Sequence, residues 1–256
     1  MIVSSMCSLS SLYLRECLAR RGVDATVASF GTTVLTARKT SPTSVRVMTR
    51  RTLLGVSAIP AARTAQVVAL CAQLFGEGFV PQENALASAL ANINPVAHVP
   101  LALFNLTRID RAEHWPQYRY MTAAVSSVIE RIDAERLAVA RAFGLAVRTI
   151  EEHFRQSFDV SASRLADIAA ELHAKRGGPP GPTDLSTRFL GEDVPFGLVF
   201  HQAIARIAGV STPAIDAAVA MADLVHGAGL RGGNDLLEPL RLRGETVAGL
   251  LARVAR

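Results

Sequence analysis

Several kinds of residue are scarce in this sequence, and each shortage removes a class of protein. Only two of the 27 basic residues are lysines, Lys39 and Lys175, and the arginines that make the chain basic overall (+5) are scattered along it. Aromatic residues are 5% of the chain, so neither a basic stripe nor an aromatic platform is present, and no nucleic-acid partner is expected. Basic and acidic residues instead alternate at helical spacing, as at Glu130, Arg131, Asp133, Glu135 and Arg136, a pattern that reads as a solvated helix face. The three cysteines, Cys7, Cys17 and Cys71, form no C-x-x-C pair and are odd in number. That argues against a disulfide framework or a structural zinc site and for a reducing, cytoplasmic compartment; no metal is expected. Met1 to Leu14 has no positively charged n-region, so no signal peptide is visible. The longest uncharged run, Asn84 to Thr107, is interrupted by Asn92, Asn94, Pro95, Pro100 and Asn105, and no lipid-facing helix or membrane partner is expected from it. The sequence also holds no G-x-G-x-x-G between a strand and a helix, and no Walker A motif.

What is present is ample apolar material. Half of the 256 residues are hydrophobic, enough for one large core or two small ones. Residues 1–82 read as α/β. A short amphipathic helix over Ser8–Arg20 precedes four β-type runs, Ala25–Phe30, Thr33–Ala37, Val45–Thr49 and Leu53–Ile59, and a helix over Ala61–Phe75 closes at Gly76. Residues 83–256 read as helical throughout. The periodicity predicts at least one helix in Asn84–Leu106, broken near Pro95, and a long helix over Gln117–Phe143. Further helices are predicted over Val147–Phe158, over Ser161–Lys175 with a serine N-cap, and over Val194–Ala208, Pro213–His226 and Glu245–Val254; a weaker piece lies near Asp235–Arg241. Strands followed only by helices imply two units, an α/β piece and an all-α domain.

Two stretches carry more chemistry than this packing requires. The first, Thr187-Arg188-Phe189-Leu190-Gly191-Glu192-Asp193-Val194-Pro195-Phe196-Gly197-Leu198, follows a breaker-rich loop, Gly177-Gly178-Pro179-Pro180-Gly181-Pro182. Its plain reading is a helix start, with Pro195 in the first turn and the carboxylates of Glu192 and Asp193 at the positive end of the helix dipole. The second, Asn92-Ile93-Asn94-Pro95-Val96-Ala97-His98-Val99-Pro100, sets a histidine in an apolar run. Its plain reading is a core histidine bonded to a neighbouring carbonyl. Asn94, His98 and Asn105 also fall at helix-like spacing, however, and such a polar row suggests a lined pocket in which an imidazole near a carboxylate exchanges a proton around neutral pH.

Together the two stretches give N-x-N-P-x-x-H-x-P and, some ninety residues on, R-[FY]-x-x-E-D-V-P-[FY]-G-L. The pair resembles the octopine/nopaline (opine) dehydrogenase family. The resemblance extends to Gly31–Thr40, to Glu130–Arg136 and to the turn Gly209–Pro213, and so covers nearly the whole chain. It implies the C-terminal part of a Rossmann-type α/β domain followed by an all-α domain like the C-terminal domain of 6-phosphogluconate dehydrogenase. It also implies an enzyme that uses NADH or NADPH to reduce the imine formed between a 2-oxo acid and an amine or amino acid; from the long apolar helices a homodimer is expected as well. Carried over residue by residue, His98 is expected to be the general acid/base, Asp193 to fix its tautomer, Arg188 to hold a substrate carboxylate and Asn94 to orient substrate or nicotinamide. Glu192 is expected to be a helix-start charge. The family's glycine fingerprint has no counterpart between a strand and a helix in these 256 residues, so no cofactor-binding residue is assigned. This leaves open a truncated reading frame, a second chain that supplies the missing half, or a silent remnant. The serine-rich stretch Ser4–Ser10 is the one expected near the nicotinamide. Two alternatives stand beside this reading. One is a reductase of 2-oxo acids on the same fold, against which the lack of any lysine between Lys39 and Lys175 weighs. The other is a non-catalytic helical dimerisation module.

Overall fold

A computed structural model describes residues 2–3, 8–227 and 229–256. The chain divides into two compact units, Met1–Asn92 with Ala248–Arg256, and Ile93–Val247. Relative to the division at 82/83 expected from the sequence, the first unit also takes the helix that follows residue 83 and most of the last helix.

In the first unit β1 (Ile2–Val3), α1 (Ser10–Arg20) and β2 (Val27–Phe30) form a βαβ unit, with β1 and β2 parallel. A two-stranded ribbon, β3 (Leu35–Ser41) and β4 (Ser44–Arg50), follows as a separate sheet. β5 (Leu54–Ile59) returns antiparallel to β2; α2 (Thr64–Phe75) then leads to β6 (Phe79–Pro81), parallel to β5. The main sheet has the order β1-β2-β5-β6. Both central strands are buried along their whole length, which explains why they read as near-continuous small and apolar runs rather than as alternation. The serines buried within them are bonded. Ser29 Oγ lies 3.1 Å from Ser11 Oγ, and Ser57 Oγ lies 2.7 Å from Ser88 Oγ on α3 (Ala85–Leu90). The stretch predicted to face a nicotinamide, Ser4–Ser10, lies mostly outside the described residues.

The second unit contains α4 (Asn94–Leu103), α5 (Leu106–Asp110), α6 (Gln117–Tyr120), α7 (Ala123–Ala142), α8 (Ile150–Ser157), α9 (Leu165–Arg176) and α10 (Arg188–Gly191). A π-helix (Asp193–Val199) runs directly into α11 (Phe200–Ala208), and α12 (Pro213–His226) follows. α13 (Val247–Ala255) belongs, apart from its first residue, with the first unit. Val99, Leu101, Ile129, Ile132, Ile168 and Ile215 share one core, each fully buried.

Here the structure departs from the sequence reading at several points. The long helix predicted over Gln117–Phe143 is interrupted at Met121-Thr122, where Thr122 becomes the N-cap of α7 and accepts from the Val125 N–H. Ser161 caps no helix. Its amide and that of Ala162 donate to the Glu171 carboxylate instead, and α9 begins only at Leu165. Asp235–Arg241 is a run of turns, not a helix.

The solvated face expected on α7 is the largest correction: Glu130 and Arg131 are exposed as expected, but Asp133, Glu135 and Arg136 work inside the protein. Asp133 and Arg136 are 2% and 0% exposed. Arg136 Nε donates to Asp133 Oδ1 (2.8 Å) and its Nη2 to the Arg148 carbonyl (2.7 Å), while Asp133 Oδ2 accepts the Ile150 N–H (2.9 Å). This pair ties the start of α8 to α7. Burial pushes the Asp133 carboxyl above its usual range, and the Arg136 charge opposes that. Glu135 accepts the Ala214 and Ile215 amides at 2.7 and 2.9 Å, placing an anion on the N-terminus of α12.

Candidate active site

The candidate site lies within the second unit, where α4 meets the π-helix. α4 starts at Asn94 with Pro95 in its first turn, a position where a missing N–H costs nothing. His98 falls one turn after Asn94, so the two share a face of the helix. Before the π-helix in the chain, the loop at 177–182 is itself strapped to Trp115 and Gln117. The Gly181 amide donates to the Trp115 carbonyl (2.7 Å), Trp115 Nε1 donates to the Pro182 carbonyl (3.0 Å) and Gln117 Nε2 to the Pro180 carbonyl (2.9 Å). A Cβ on Gly181 would lie 2.1 Å from the indole of Trp115, so glycine is required there for this close approach. Thr187 then caps α10, its hydroxyl accepting from the Phe189 amide (3.3 Å).

The π-helix starts at Asp193, with Pro195 as its third residue. Two features fix it. Gly197 sits against Pro95, and a Cβ there would be 2.2 Å from Pro95 Cγ, so this glycine allows the π-helix and α4 to approach. The buried Asn234 donates from Nδ2 to the Pro195 carbonyl (2.9 Å) and accepts the Leu236 amide at Oδ1 (3.0 Å). A widened helix of this kind is a frequent feature of functional sites.

The resulting geometry brings His98 and Asp193, ninety-five positions apart, into contact: Nδ1 lies 2.8 Å from Asp193 Oδ2. Both side chains are mostly but not wholly buried, 17% and 15% exposed. An ionised carboxylate only accepts, so Nδ1 carries the hydrogen, and the neutral ring keeps its lone pair on Nε2. The His98 ring is also stacked on Phe189, with centroids 3.8 Å apart and planes 2° from parallel. Arg188, the neighbour of Phe189 on α10, is exposed and forms no ion pair with any described residue. The arrangement can therefore hold a proton at Nε2.

Of the residues singled out in the sequence, His98 and Asp193 meet directly, Arg188 joins them through the element that carries Phe189, and Asn94 lies half-buried one turn from His98. Asn105 does not join the row. α4 ends at Leu103, and the Asn105 amide turns back to the Leu101 carbonyl (2.9 Å). Glu192 is exposed at the N-terminus of the π-helix, as a helix-start charge should be. Phe189 and Asn234 were not found by sequence reading. Phe189 is the first aromatic position of the second motif but reads there as a core aromatic, and Asn234 sits among the glycines of a turn with no local signal.

Comparison with known proteins agrees with the motif resemblance. Residues 81–226 match the family described as NAD/NADP octopine/nopaline dehydrogenase, alpha-helical domain. An opine dehydrogenase of Arthrobacter sp. (strain 1C) is 30% identical over 246 residues, which is 95% of this chain and 68% of that protein. A vitopine synthase of Allorhizobium ampelinum is 28% identical over 172 residues, 66% of this chain and 44% of that protein. A solved octopine dehydrogenase, in complex with NADH and L-arginine, superposes with a TM-score of 0.77 at 19% identity over 98% of this chain and 70% of its own, so the fold is shared. A Rossmann-type α/β unit followed by a helical domain, the two paired motifs and the match to the relatives lead to one assignment: this chain belongs to the octopine/nopaline (opine) dehydrogenase family.

Proposed function

We propose that His98, Asp193, Arg188 and Asn94 are the working residues of an NAD(P)H-dependent reduction in which a 2-oxo acid and an amine or amino acid, condensed to an imine, become a secondary amine. The observation that carries this reading is the His98 Nδ1–Asp193 Oδ2 bond of 2.8 Å, because it leaves Nε2 as the ring's exchanging nitrogen. His98 gives the Nε2 proton to the reacting group in the reductive direction and takes it back in the oxidative one. Asp193 holds the Nδ1–H tautomer and stabilises the imidazolium. Arg188 takes the carboxylate of the oxo acid through a two-pronged, charge-assisted pair, which its planar fork suits and a lysine would not. Asn94, on the same helix face as His98, orients the substrate.

The reduced nicotinamide, when bound, supplies the hydride. The β1–α1–β2 unit fits such a cofactor in one respect: it is a parallel βαβ unit, the kind of unit on which open α/β sheets take dinucleotides. No G-x-G-x-x-G lies between a strand and a helix in this sequence, so no pyrophosphate cradle is assigned.

We also propose a cytoplasmic homodimer. The C-terminal part of α12 exposes Met221, Leu224 and Val225 (42%, 84% and 37%) at i, i+3 and i+4 spacing, an apolar stripe suited to a second copy. The enzymatic reading is tested by titrating the full chain with NADH and NADPH and then screening 2-oxo acids against amines for the secondary amine product. Saturable dinucleotide binding with product from at least one pair supports it. No binding and no product at millimolar cofactor overturns it for this chain.

A further inference from the structure

From the stacking geometry we infer that Phe189 is a positioning residue for the proton-transferring imidazole, an inference that rests on the role proposed for His98. A hydrogen bond from Nδ1 to Asp193 fixes one atom of the ring. The ring can still swing about that bond, and each swing carries Nε2 along an arc. A flat face held against the ring removes this remaining freedom. Phe189 supplies such a face, with centroids 3.8 Å apart and planes within 2°. It is itself 6% exposed, and the Thr187 hydroxyl holds its amide at 3.3 Å, so the platform is packed and its backbone pinned. The two restraints are complementary. Asp193 acts in the ring plane and selects which nitrogen faces it, and Phe189 acts perpendicular to the plane and sets its tilt.

The sequence arrangement adds a consequence. Phe189 directly follows Arg188 on α10, so the element that offers the guanidinium to a substrate carboxylate also orients the imidazole. The spacing between carboxylate and transferred proton is thereby set within a single turn of helix. Misplacement by about 1 Å at a reacting centre costs up to roughly a hundredfold in rate, so the loss of this platform should be visible in turnover.

The test compares Phe189→Leu and Phe189→Met, which keep apolar volume without a flat face, with Phe189→Tyr, which keeps the face. The first readout is the histidine 15N and ring-proton NMR spectrum of the full chain, with the His98 signals assigned by their loss in His98→Gln. In the wild type and in Phe189→Tyr, His98 is expected as a single Nδ1–H tautomer. In the Leu and Met variants Asp193 still sets that tautomer, but the ring signals are expected to broaden relative to the wild type and Phe189→Tyr as the tilt is no longer held. The second readout is turnover on whichever substrate pair is found: kcat falls on the order of tenfold to a hundredfold in the Leu and Met variants with KM for the oxo acid unchanged, and Tyr restores it. A folded Leu or Met variant whose His98 ring signals are as sharp as those of the wild type would overturn the inference, as would one with wild-type kcat. The NMR readout does not depend on turnover, so it decides the role of Phe189 even if the enzymatic reading fails. That reading fails separately if His98→Gln retains wild-type kcat.

Discussion

Gly197→Ala sets two effects of opposite sign against each other. Alanine in place of glycine within a helix favours folding by about 1 kcal/mol through propensity alone. The added methyl, however, would lie 2.2 Å from Pro95 Cγ and 2.4 Å from Pro95 Cβ. Carbon atoms rest at about 3.5–4.0 Å, so more than about 1 Å of separation is needed. Pro95 cannot rotate its ring aside, because the ring is closed on its own backbone in the first turn of α4, so the helices must part. Forced insertions of this kind cost about 1–3 kcal/mol, and with so rigid a neighbour the upper half of that range applies. The net expectation is a loss of about 1–2 kcal/mol, or a fall of roughly 2–8 °C in Tm for a chain of this size. Function should suffer more. Pro95 lies three residues before His98 and Gly197 four after Asp193, so a shift of about 1 Å takes the 2.8 Å Nδ1–Oδ2 contact out of hydrogen-bonding range. Urea unfolding followed by circular dichroism, with the His98 NMR signals as a second probe, measures both effects. Unchanged or raised stability together with an unchanged His98 tautomer would refute the reasoning.

Three further outcomes are expected. Arg188→Lys should raise KM for the oxo acid by about tenfold or more and lower kcat less, because an ammonium replaces the two-pronged pair with a point charge; equal kinetics would remove Arg188 from carboxylate binding. His201 is buried with no partner for Nδ1 among the described residues, and burial, with the charge of Arg136 adding to it, pushes its pKa down to about 3. The unfolded chain takes up that proton near pH 6.5, so wild-type stability should drop as pH falls from about 6.5 towards 3, by up to ~1.4 kcal/mol per pH unit from this residue. His201→Leu should flatten that limb, and urea midpoints of the two proteins that run parallel from pH 7 to 4 would contradict it. Leu224→Asp should convert a dimer to monomer in light scattering after size exclusion, and an unchanged mass would exclude the α12 stripe as the interface.

What was legible in the sequence followed from local signals. β2 and β5 announced themselves as compact β-type runs, Gly177 and Gly209 marked helix ends by the left-handed conformation they adopt, and Pro213 marked the start of α12. The meeting of His98 and Asp193 was legible only because two motifs were read together, since no spacing rule predicts contact across ninety-five positions. The failures came where tertiary contacts overrode local preference. Asp133 and Arg136 have a spacing that reads as a surface pair, yet they are buried because the Arg148 carbonyl and the Ile150 amide supply the remaining bonds. Ser161 looked like an N-cap until Glu171, its carboxyl held at about 2 by Lys175 and by the Ala162 and Ser161 amides, took those donors. The π-helix was not foreseeable at all. It depends on Pro95, Gly197 and Asn234 meeting in space, and none of the three signals it alone.

The most direct measurement compares His98→Ala with wild type, on the best substrate pair found, for both turnover and unfolding midpoint. If His98 transfers the proton, kcat falls by about a hundredfold to ten-thousandfold while the midpoint stays close to that of the wild type. A variant that turns over at the wild-type rate, or one that loses activity only in proportion to its loss of stability, would show that His98 is a packed core histidine and that the chemistry lies elsewhere.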